Sequence, residues 1–146
     1  MYYYENYSNQ LMRQQNKLVS DLEKAINGEY SAIKCYAKLA KMAPTDKVRE
    51  QIREIRNDEK RHLQVFSQLY MSLTGSEPKP ESVEGCPDTY EDGLEFAFKD
   101  EQETVDFYLT VADETSNVYI KEAFRRAAAD EQNHAVWFLY FLTKTK

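Results

Sequence analysis

The chain has 146 residues, a net charge of −6, a pI near 5.0 and 42% hydrophobic residues. This length fits one domain with its own hydrophobic core, so residues 1–146 are treated as a single domain. The acidic balance excludes nucleic acid as a partner, because phosphate binding needs clustered lysine and arginine. No run of about 18 apolar residues is present, which excludes a membrane span. The first residues lack the pattern of a secretory signal, and a cytoplasmic location is therefore expected.

Four segments have the apolar periodicity of amphipathic helices, and no segment alternates in the manner of a strand. The first helix is predicted from about Asn9 to Ala43, ending at Pro44. The others are predicted from Lys47 to Leu73, from a Thr89 cap to about Thr115, and from a Ser116 or Asn117 cap to near Leu142. Residues 1–8, which are rich in tyrosine, are expected to form a flexible tail. The predicted fold class is all-α.

The two cysteines are too few for a disulfide framework or for a four-cysteine metal site. Cys35 lies within the first helical pattern and is expected to be a small buried apolar residue. Cys86 lies in the loop before the third helix, and its role stays open. This sparse use of cysteine also favours a cytoplasmic location.

The chain repeats itself after 72 residues, with no gap. The paired positions include Glu29 with Glu101, Tyr36 with Tyr108, Asp58 with Asp130, Glu59 with Glu131, and His62 with His134. Each half is therefore expected to form a helical hairpin, and approximate two-fold symmetry should relate the two hairpins.

Both histidines of the chain occur in a Glu-x-x-His motif, at matching places in the two halves. Residues three apart lie on one helix face, so the glutamate and histidine of each motif can bind one ion together. In each hairpin, glutamates lie 15 residues before and 15 residues after the turn at Pro44 or Ser116. A constant rise per residue then places them at one level of the bundle. The residues expected to converge there are Glu29, Glu59, His62, Glu101, Glu131 and His134.

Four carboxylates at one level of a core would repel one another and lose their hydration. They must be protonated or bind cations, and two divalent ions would balance four ionised glutamates. We therefore predict a two-metal site holding two iron ions, with manganese as the alternative, because carboxylate and imidazole ligands suit both metals. The other interpretation is a metal-free bundle whose two histidines are ordinary core or surface residues.

Two further pairs of residues are candidates for supporting this site. Asp58 and Asp130 precede the motif glutamates and should point toward the adjacent helix, where Asp58 would orient His134 and Asp130 would orient His62. The alternative is that both aspartates are simply solvated. Tyr36 and Tyr108 lie about two turns beyond the first glutamate of each half. They could bond to a ligand or to a bound oxygen species, or they could only fill the core.

The linker between the second and third helices indicates the topology. Residues 74–88 hold most of the glycine and proline of the chain and would span the length of the bundle at about 3.3 Å per residue. Two hairpins joined by a long crossover loop form the ferritin-like four-helix bundle. An antiparallel pair of helices with a loose loop is the alternative.

The motifs GEYSAIKCYAKLAK, NDEKRHLQVF, DEQETVDFY and ADEQNHAVWF resemble the rubrerythrin branch of the ferritin-like di-iron superfamily. The resemblance covers nearly the whole chain after the first ten or so residues. It implies one metal ion on Glu29 and His62, a second on Glu101 and His134, and bridges from Glu59 and Glu131.

The chain departs from this family in two respects. It has no rubredoxin-like domain, so reduction would need a separate electron donor protein. Thr104 stands where the family has an extra glutamate, and Glu103 is on a different face, which argues against redox-dependent ligand exchange. The remaining six-residue set is closer to bacterioferritin-like sites. A storage ferritin is not expected, because the chain ends after the fourth helix.

The leading functional prediction is an oxidoreductase in which a reduced metal pair reacts with hydrogen peroxide or dioxygen. One alternative is ferroxidase-type iron binding without turnover. Another is a structural or coat-type protein, for which the tyrosine-rich start is the only indication. A hydroxylase would require an apolar access channel. A homodimer is expected because the first helix is long and carries Met12 and Tyr30 on its outer face.

Overall fold

The computed structural model describes residues 2–82 and 85–145, without the side chain of Tyr2. Within these ranges the chain forms four helices and no strand: α1 Tyr2–Met42, α2 Asp46–Thr74, α3 Tyr90–Glu114 and α4 Val118–Thr143. The all-α prediction is confirmed, and the last three helices begin and end close to the expected residues. No helix among the described residues is both long and apolar enough to cross a membrane.

The helix ends follow from local side-chain chemistry. Three helices are preceded by a residue whose side-chain oxygen accepts a hydrogen bond from the backbone N–H three residues on, as an N-cap does. These residues are Thr45, Thr89 and Asn117, with bonds of 3.2, 3.3 and 3.1 Å. Helix α2 ends at Gly75, whose φ of 76° is readily adopted only by glycine. The predicted cap at Thr89 is confirmed, and Asn117 is the cap of α4.

The packing is that of two helical hairpins, α1 with α2 and α3 with α4. Helix α1 also contacts α3, and α2 contacts α4, so the consecutive helices α2 and α3 are diagonally opposite. The crossover between them runs along α1: the Glu81 N–H donates to Asn27 Oδ1 at 2.9 Å, and Lys38 Nζ donates to Asp88 at 2.6 Å. The predicted ferritin-like bundle with a long crossover is confirmed.

Two apolar clusters occupy the two ends of the bundle. One includes Leu39, Ile52, Leu94 and Phe138, near the α1–α2 turn. The other includes Leu22, Phe66, Ile120 and Phe124, near the α3–α4 turn. Burial of such side chains stabilises the fold by about 1.5–3 kcal/mol each. The predicted polar layer lies between the clusters and is shielded from water on both sides.

Helix α1 extends well beyond the rest of the bundle. It has 41 residues against 25–29 in the other helices, and residues 3–17 are exposed along its projecting start. The helix therefore begins seven residues earlier than predicted. Met1, the first residue of the expected tail, lies outside the described residues. The flexibility of the tail and the homodimer stay predictions.

The expectation that Cys35 is a small buried apolar residue is right about its burial but missed its covalent partner. Cys35 is buried, but it forms a disulfide with Cys86, with the two Cα atoms 5.3 Å apart. The bond forms because the crossover passes directly beside α1. The disulfide removes the support that cysteine usage gave to a cytoplasmic location, which stays a prediction.

Candidate metal centre

Six polar residues form a buried layer in the middle of the bundle. Helices α1 and α3 each contribute one glutamate, and α2 and α4 each contribute a glutamate and a histidine. All six have at most 6% of their surface exposed: Glu29, Glu59, His62, Glu101, Glu131 and His134. The structure therefore brings together every residue that the sequence placed in this layer.

The six residues form two groups that could each hold one ion. One group is Glu29, Glu59, His62 and Glu131, and the other is Glu59, Glu101, Glu131 and His134, each with its ligand atoms within 4.8 Å of one another. Glu59 and Glu131 belong to both groups. This is the arrangement required for the bridging role that the resemblance implies, and that role stays a prediction.

Each imidazole is bonded on its outer side to an aspartate from the other hairpin. His62 Nε2 lies 2.8 Å from Asp130 Oδ2, and His134 Nε2 lies 2.7 Å from Asp58 Oδ2. An aspartate acceptor fixes the proton on Nε2 of a neutral ring, which leaves a lone pair on Nδ1. The two aspartates thus lie where the sequence predicted them, and each turns the Nδ1 atom of its imidazole toward the centre of the bundle.

The Nδ1 atoms face carboxylate oxygens at distances that call for a cation. His62 Nδ1 lies 2.9 Å from Glu131 Oε1, and His134 Nδ1 lies 3.3 Å from Glu59 Oε1. A lone pair and a carboxylate oxygen repel each other unless a proton or a metal ion lies between them. Either a proton or a metal ion could lie between the two atoms of each pair at these distances.

Removing either aspartate should weaken metal binding. We expect Asp58→Ala and Asp130→Ala each to lower the affinity for Mn²⁺ by about 10- to 100-fold, because the imidazole loses its fixed orientation. Competition against a chelator measures this. Asp106→Ala, which changes an exposed aspartate on α3, is the matched control and should bind as the wild type does. Equal affinity in all four proteins would contradict the orienting role.

Two tyrosines complete the layer by bonding to the glutamates of the opposite hairpin. Tyr108 donates its hydroxyl hydrogen to Glu29 Oε1 at 2.5 Å, and Tyr36 donates in the same way to Glu101 Oε1. Both phenols are almost fully buried. Of the alternatives that the sequence left open, the structure shows contact with the predicted ligands. The tyrosine and aspartate bonds both follow the internal two-fold symmetry.

The electrostatics of the layer without a metal favour protonation. Burial, followed by repulsion from Glu59, raises the pKa of Glu29 to about 8. Burial lowers the pKa of His62, but Glu29 and Glu59 outweigh that effect and raise it to about 11. The pKa of His134 is raised to about 11 in the same manner, by Glu101 and Glu59.

The pKa values of the other three carboxyl groups shift in different directions. Burial raises the pKa of Glu101 and raises that of Glu131 well above its usual value, and neighbouring carboxylates add to the effect in both cases. Burial opposes ionisation of Glu59 too, yet its two imidazole neighbours lower its pKa overall. Burial therefore favours the protonated form of Glu29, Glu101 and Glu131, whereas the two imidazoles favour the ionised form of Glu59.

The donor set of the layer fits a metal pair. Each of the six residues has one buried atom without a hydrogen-bond partner in the described part of the chain: Glu29 Oε2, Glu59 Oε1, His62 Nδ1, Glu101 Oε2, Glu131 Oε1 and His134 Nδ1. Buried polar atoms are rarely left unpaired, and here they occur together and face one another. Oxygen and imidazole donors in this ratio suit iron or manganese.

A cavity of about 190 Å³ between α1 and α3 reaches this layer. Its inner wall includes Glu29, Glu59 and Glu131, and its outer wall includes Phe96, Phe107 and both cysteines of the disulfide. Thr104 and the exposed Glu103 also line it. No pattern in the sequence predicted this cavity. Its walls come mainly from α1, α3 and the crossover, and Glu59 of α2 and Glu131 of α4 complete its inner end.

Comparison with known proteins decides the family. The rubrerythrin family profile matches residues 21–86 and 92–146, which include all six residues of the layer. The chain belongs to the rubrerythrin family. The family resemblance predicted from the four motifs is therefore confirmed, and the two cysteines of this rubrerythrin-type chain are fewer than a rubredoxin-type site needs.

A relative and two solved structures extend the comparison. The chain is 62% identical over 130 residues to the uncharacterized protein YhjR of Bacillus subtilis (strain 168), covering 89% of this chain and 90% of the relative. A ferritin-like, diiron-carboxylate protein from Bacillus anthracis str. Ames has a TM-score of 0.74 at 24% identity, covering 88% and 97% of the two chains. A hypothetical protein from Pyrococcus furiosus also has a TM-score of 0.74, at 22% identity, covering 86% and 88%. Both comparisons show that this rubrerythrin-type chain has the same four-helix fold as the two solved structures.

Proposed function

We propose that this protein is a non-haem di-metal oxidoreductase, with iron as the metal, that reduces hydrogen peroxide or dioxygen. The observation that carries the proposal is the set of six unpaired donor atoms that face one another in the buried layer. A purely structural bundle would gain nothing from four carboxyl groups in its core, because their burial opposes ionisation. Membership of the rubrerythrin family and the structural likeness to a diiron-carboxylate protein support a metal pair.

The cavity supports a small oxidant as the substrate. Pockets for organic ligands commonly measure about 300–1,000 Å³, and this cavity measures about 190 Å³. Hydrogen peroxide and dioxygen fit such a volume, and a large organic substrate for a hydroxylase does not. The cavity reaches the carboxylates Glu29, Glu59 and Glu131 directly, so a small molecule could approach them without opening the bundle.

The roles of the residues follow from their contacts. When bound, the metal pair would supply the electrons and the Lewis acidity of the reaction. Glu29 and His62 would hold one ion, Glu101 and His134 the other, and Glu59 and Glu131 both. Tyr36 and Tyr108 fix two of these glutamates, and burial raises the pKa of both phenols well above the usual value, so they remain hydrogen-bond donors at neutral pH. The apolar clusters keep bulk water out.

Electrons would come from an external donor protein. The two cysteines of the chain are too few for a built-in rubredoxin-type site. Reduction of one peroxide to two water molecules needs two electrons and two protons, which matches the capacity of a metal pair that changes by one electron per ion.

Ferroxidase-type iron binding without turnover is the second candidate. The six-residue set favours it, because Thr104 occupies the place of the extra glutamate found elsewhere in the family. In that case peroxide or dioxygen would oxidise bound iron, and the iron would then accumulate or leave the site.

Repeated reduction and oxidation of one iron-loaded sample separates the two candidates. The chain, with its disulfide intact, is loaded with Fe²⁺ without oxygen and oxidised with hydrogen peroxide. It is then reduced again with ascorbate, which leaves the disulfide intact, and desalted, and iron is counted after each cycle. We expect one peroxide consumed per iron pair in every cycle, with the iron retained. Glu131→Ala is the control without an intact site.

Two results would contradict the oxidoreductase. Iron deposition beyond one pair per chain would assign the protein to iron handling. Oxidation of bound Fe²⁺ no faster than oxidation of the same amount of free Fe²⁺ in the presence of the Glu131→Ala protein would remove the peroxide reaction altogether.

A further inference from the structure

The disulfide lies in the wall of the cavity that reaches the metal-binding layer. Cys35 and Cys86 line this cavity together with Glu29, Glu59 and Glu131. Cys35 is 5% exposed and belongs to α1, whereas Cys86 is half-buried and belongs to the crossover. Cys35 also directly precedes Tyr36, whose hydroxyl is bonded to Glu101. The disulfide therefore shares a cavity with three glutamates of the layer, and Cys35 is the sequence neighbour of a tyrosine that contacts the layer.

Hydrogen bonds from α1 also hold the crossover on both sides of the disulfide. Lys38 Nζ lies 3.2 Å from the Cys86 carbonyl oxygen and 2.6 Å from Asp88, just beyond the disulfide. Before it, Lys34 Nζ donates to Ser82 Oγ at 3.2 Å. These bonds would hold the crossover beside α1 after the S–S bond is broken. The two thiols would stay close enough to form the bond again, as a reversible redox pair requires.

We propose that Cys35 and Cys86 form a redox-active pair that passes two electrons to the oxidised metal centre. This inference rests on the proposed function, since it gives the electrons a route into the site. The two thiols lose two electrons and two protons and form one S–S bond. One electron goes to each ion of an oxidised metal pair, and the protons leave through the cavity. Oxidation of the pair and reduction of the centre therefore balance.

The electrons that restore the thiols come from an external dithiol, either a protein or a small molecule. One thiolate of that dithiol attacks the sulfur of Cys86, the more exposed cysteine, and the Cys35 sulfur leaves. The second thiol of the donor then releases Cys86 and closes a disulfide on the donor.

A peroxide titration of the fully reduced protein tests the proposal. The full chain is loaded with Fe²⁺, its disulfide is reduced with dithiothreitol, and the reductant is removed without oxygen. Hydrogen peroxide is then added stepwise while ferric absorbance is recorded and free thiols are counted by alkylation and mass spectrometry. We expect the first equivalent per iron pair to remove both thiols while the iron stays ferrous. The second equivalent should leave the iron ferric.

Two controls make the result specific. The double variant Cys35→Ser, Cys86→Ser should become ferric at the first equivalent, and its iron content shows that it has folded. Wild type loaded with Zn²⁺, which cannot change its redox state, should keep its thiols over the same time.

Three outcomes would overturn the inference, and they are distinguishable. Ferric iron at the first equivalent with both thiols intact would make the disulfide a structural link. Equal loss of thiols in the zinc-loaded protein would mean that peroxide attacks the sulfur directly. Failure of peroxide to oxidise the iron in wild type and in the double variant would remove the proposed function itself.

Discussion

Replacing Glu131 or Glu59 with alanine should abolish binding of both metal ions. Each of these glutamates belongs to both groups of donor atoms, so one substitution removes a ligand from both ions. Elemental analysis of the loaded variants is expected to give a large loss of bound metal, against two ions per chain in the wild type. Glu122→Ala removes an exposed glutamate from the same helix as Glu131 and should keep the full metal content. Retention of one ion in Glu131→Ala would contradict the shared role.

Glu131, which is needed for metal binding, should lower the stability of the metal-free protein. Burial raises the pKa of Glu131 in the folded state, so the folded chain binds a proton that the unfolded chain loses above its ordinary pKa. Stability is therefore lost as the pH rises from the unfolded pKa toward the folded one. We expect Glu131→Gln, which cannot titrate, to raise the free energy of unfolding of the metal-free protein at pH 7 by about 1–3 kcal/mol. A lower free energy of unfolding for Glu131→Gln than for the wild type would mean that the carboxyl group of Glu131 stabilises the folded chain.

Metal affinity should rise steeply with pH. The pKa values of about 11 for His62 and His134 and about 8 for Glu29 mean that these groups carry protons at neutral pH when no metal is bound. A metal ion can bind only when those protons leave, so acid opposes binding. Each released proton changes the affinity about tenfold per pH unit, and the pair should respond on the order of a hundredfold or more.

Calorimetry with Mn²⁺ measures the number of protons released. The titration is run at pH 7 in two buffers that differ in ionisation enthalpy, and the difference in heat gives the proton count. We expect at least two protons per chain. Binding without proton release, or tighter binding at lower pH, would show that the layer is already ionised without a metal.

The sequence predicted the site far better than it predicted the surroundings of the site. The 72-residue repeat and the equal distances from each turn placed six residues in one layer, because helix rise and hairpin geometry are nearly constant. The partners of both aspartates followed from the same symmetry. The caps at Thr89 and Asn117 followed from local chemistry alone. These are features in which short-range rules determine the structure.

The disulfide and the cavity depended on information that the sequence did not contain. A long crossover can pass on either side of a bundle, and only its actual path brings Cys86 to Cys35. The bonds from Lys34 and Lys38 that fix the path are ordinary surface contacts with no distinctive pattern. The early start of α1 was missed for a related reason, since exposed tyrosines do not produce the apolar periodicity by which helices are recognised.

X-ray diffraction from iron-loaded crystals, recorded at the iron absorption edge, would show whether a metal pair occupies the buried layer. Two anomalous peaks per chain are expected, about 3.5–4 Å apart. One would lie among Glu29, Glu59, His62 and Glu131, and the other among Glu59, Glu101, Glu131 and His134. Peaks only at surface carboxylates, or none in the buried layer of a protein shown to be loaded, would contradict the account.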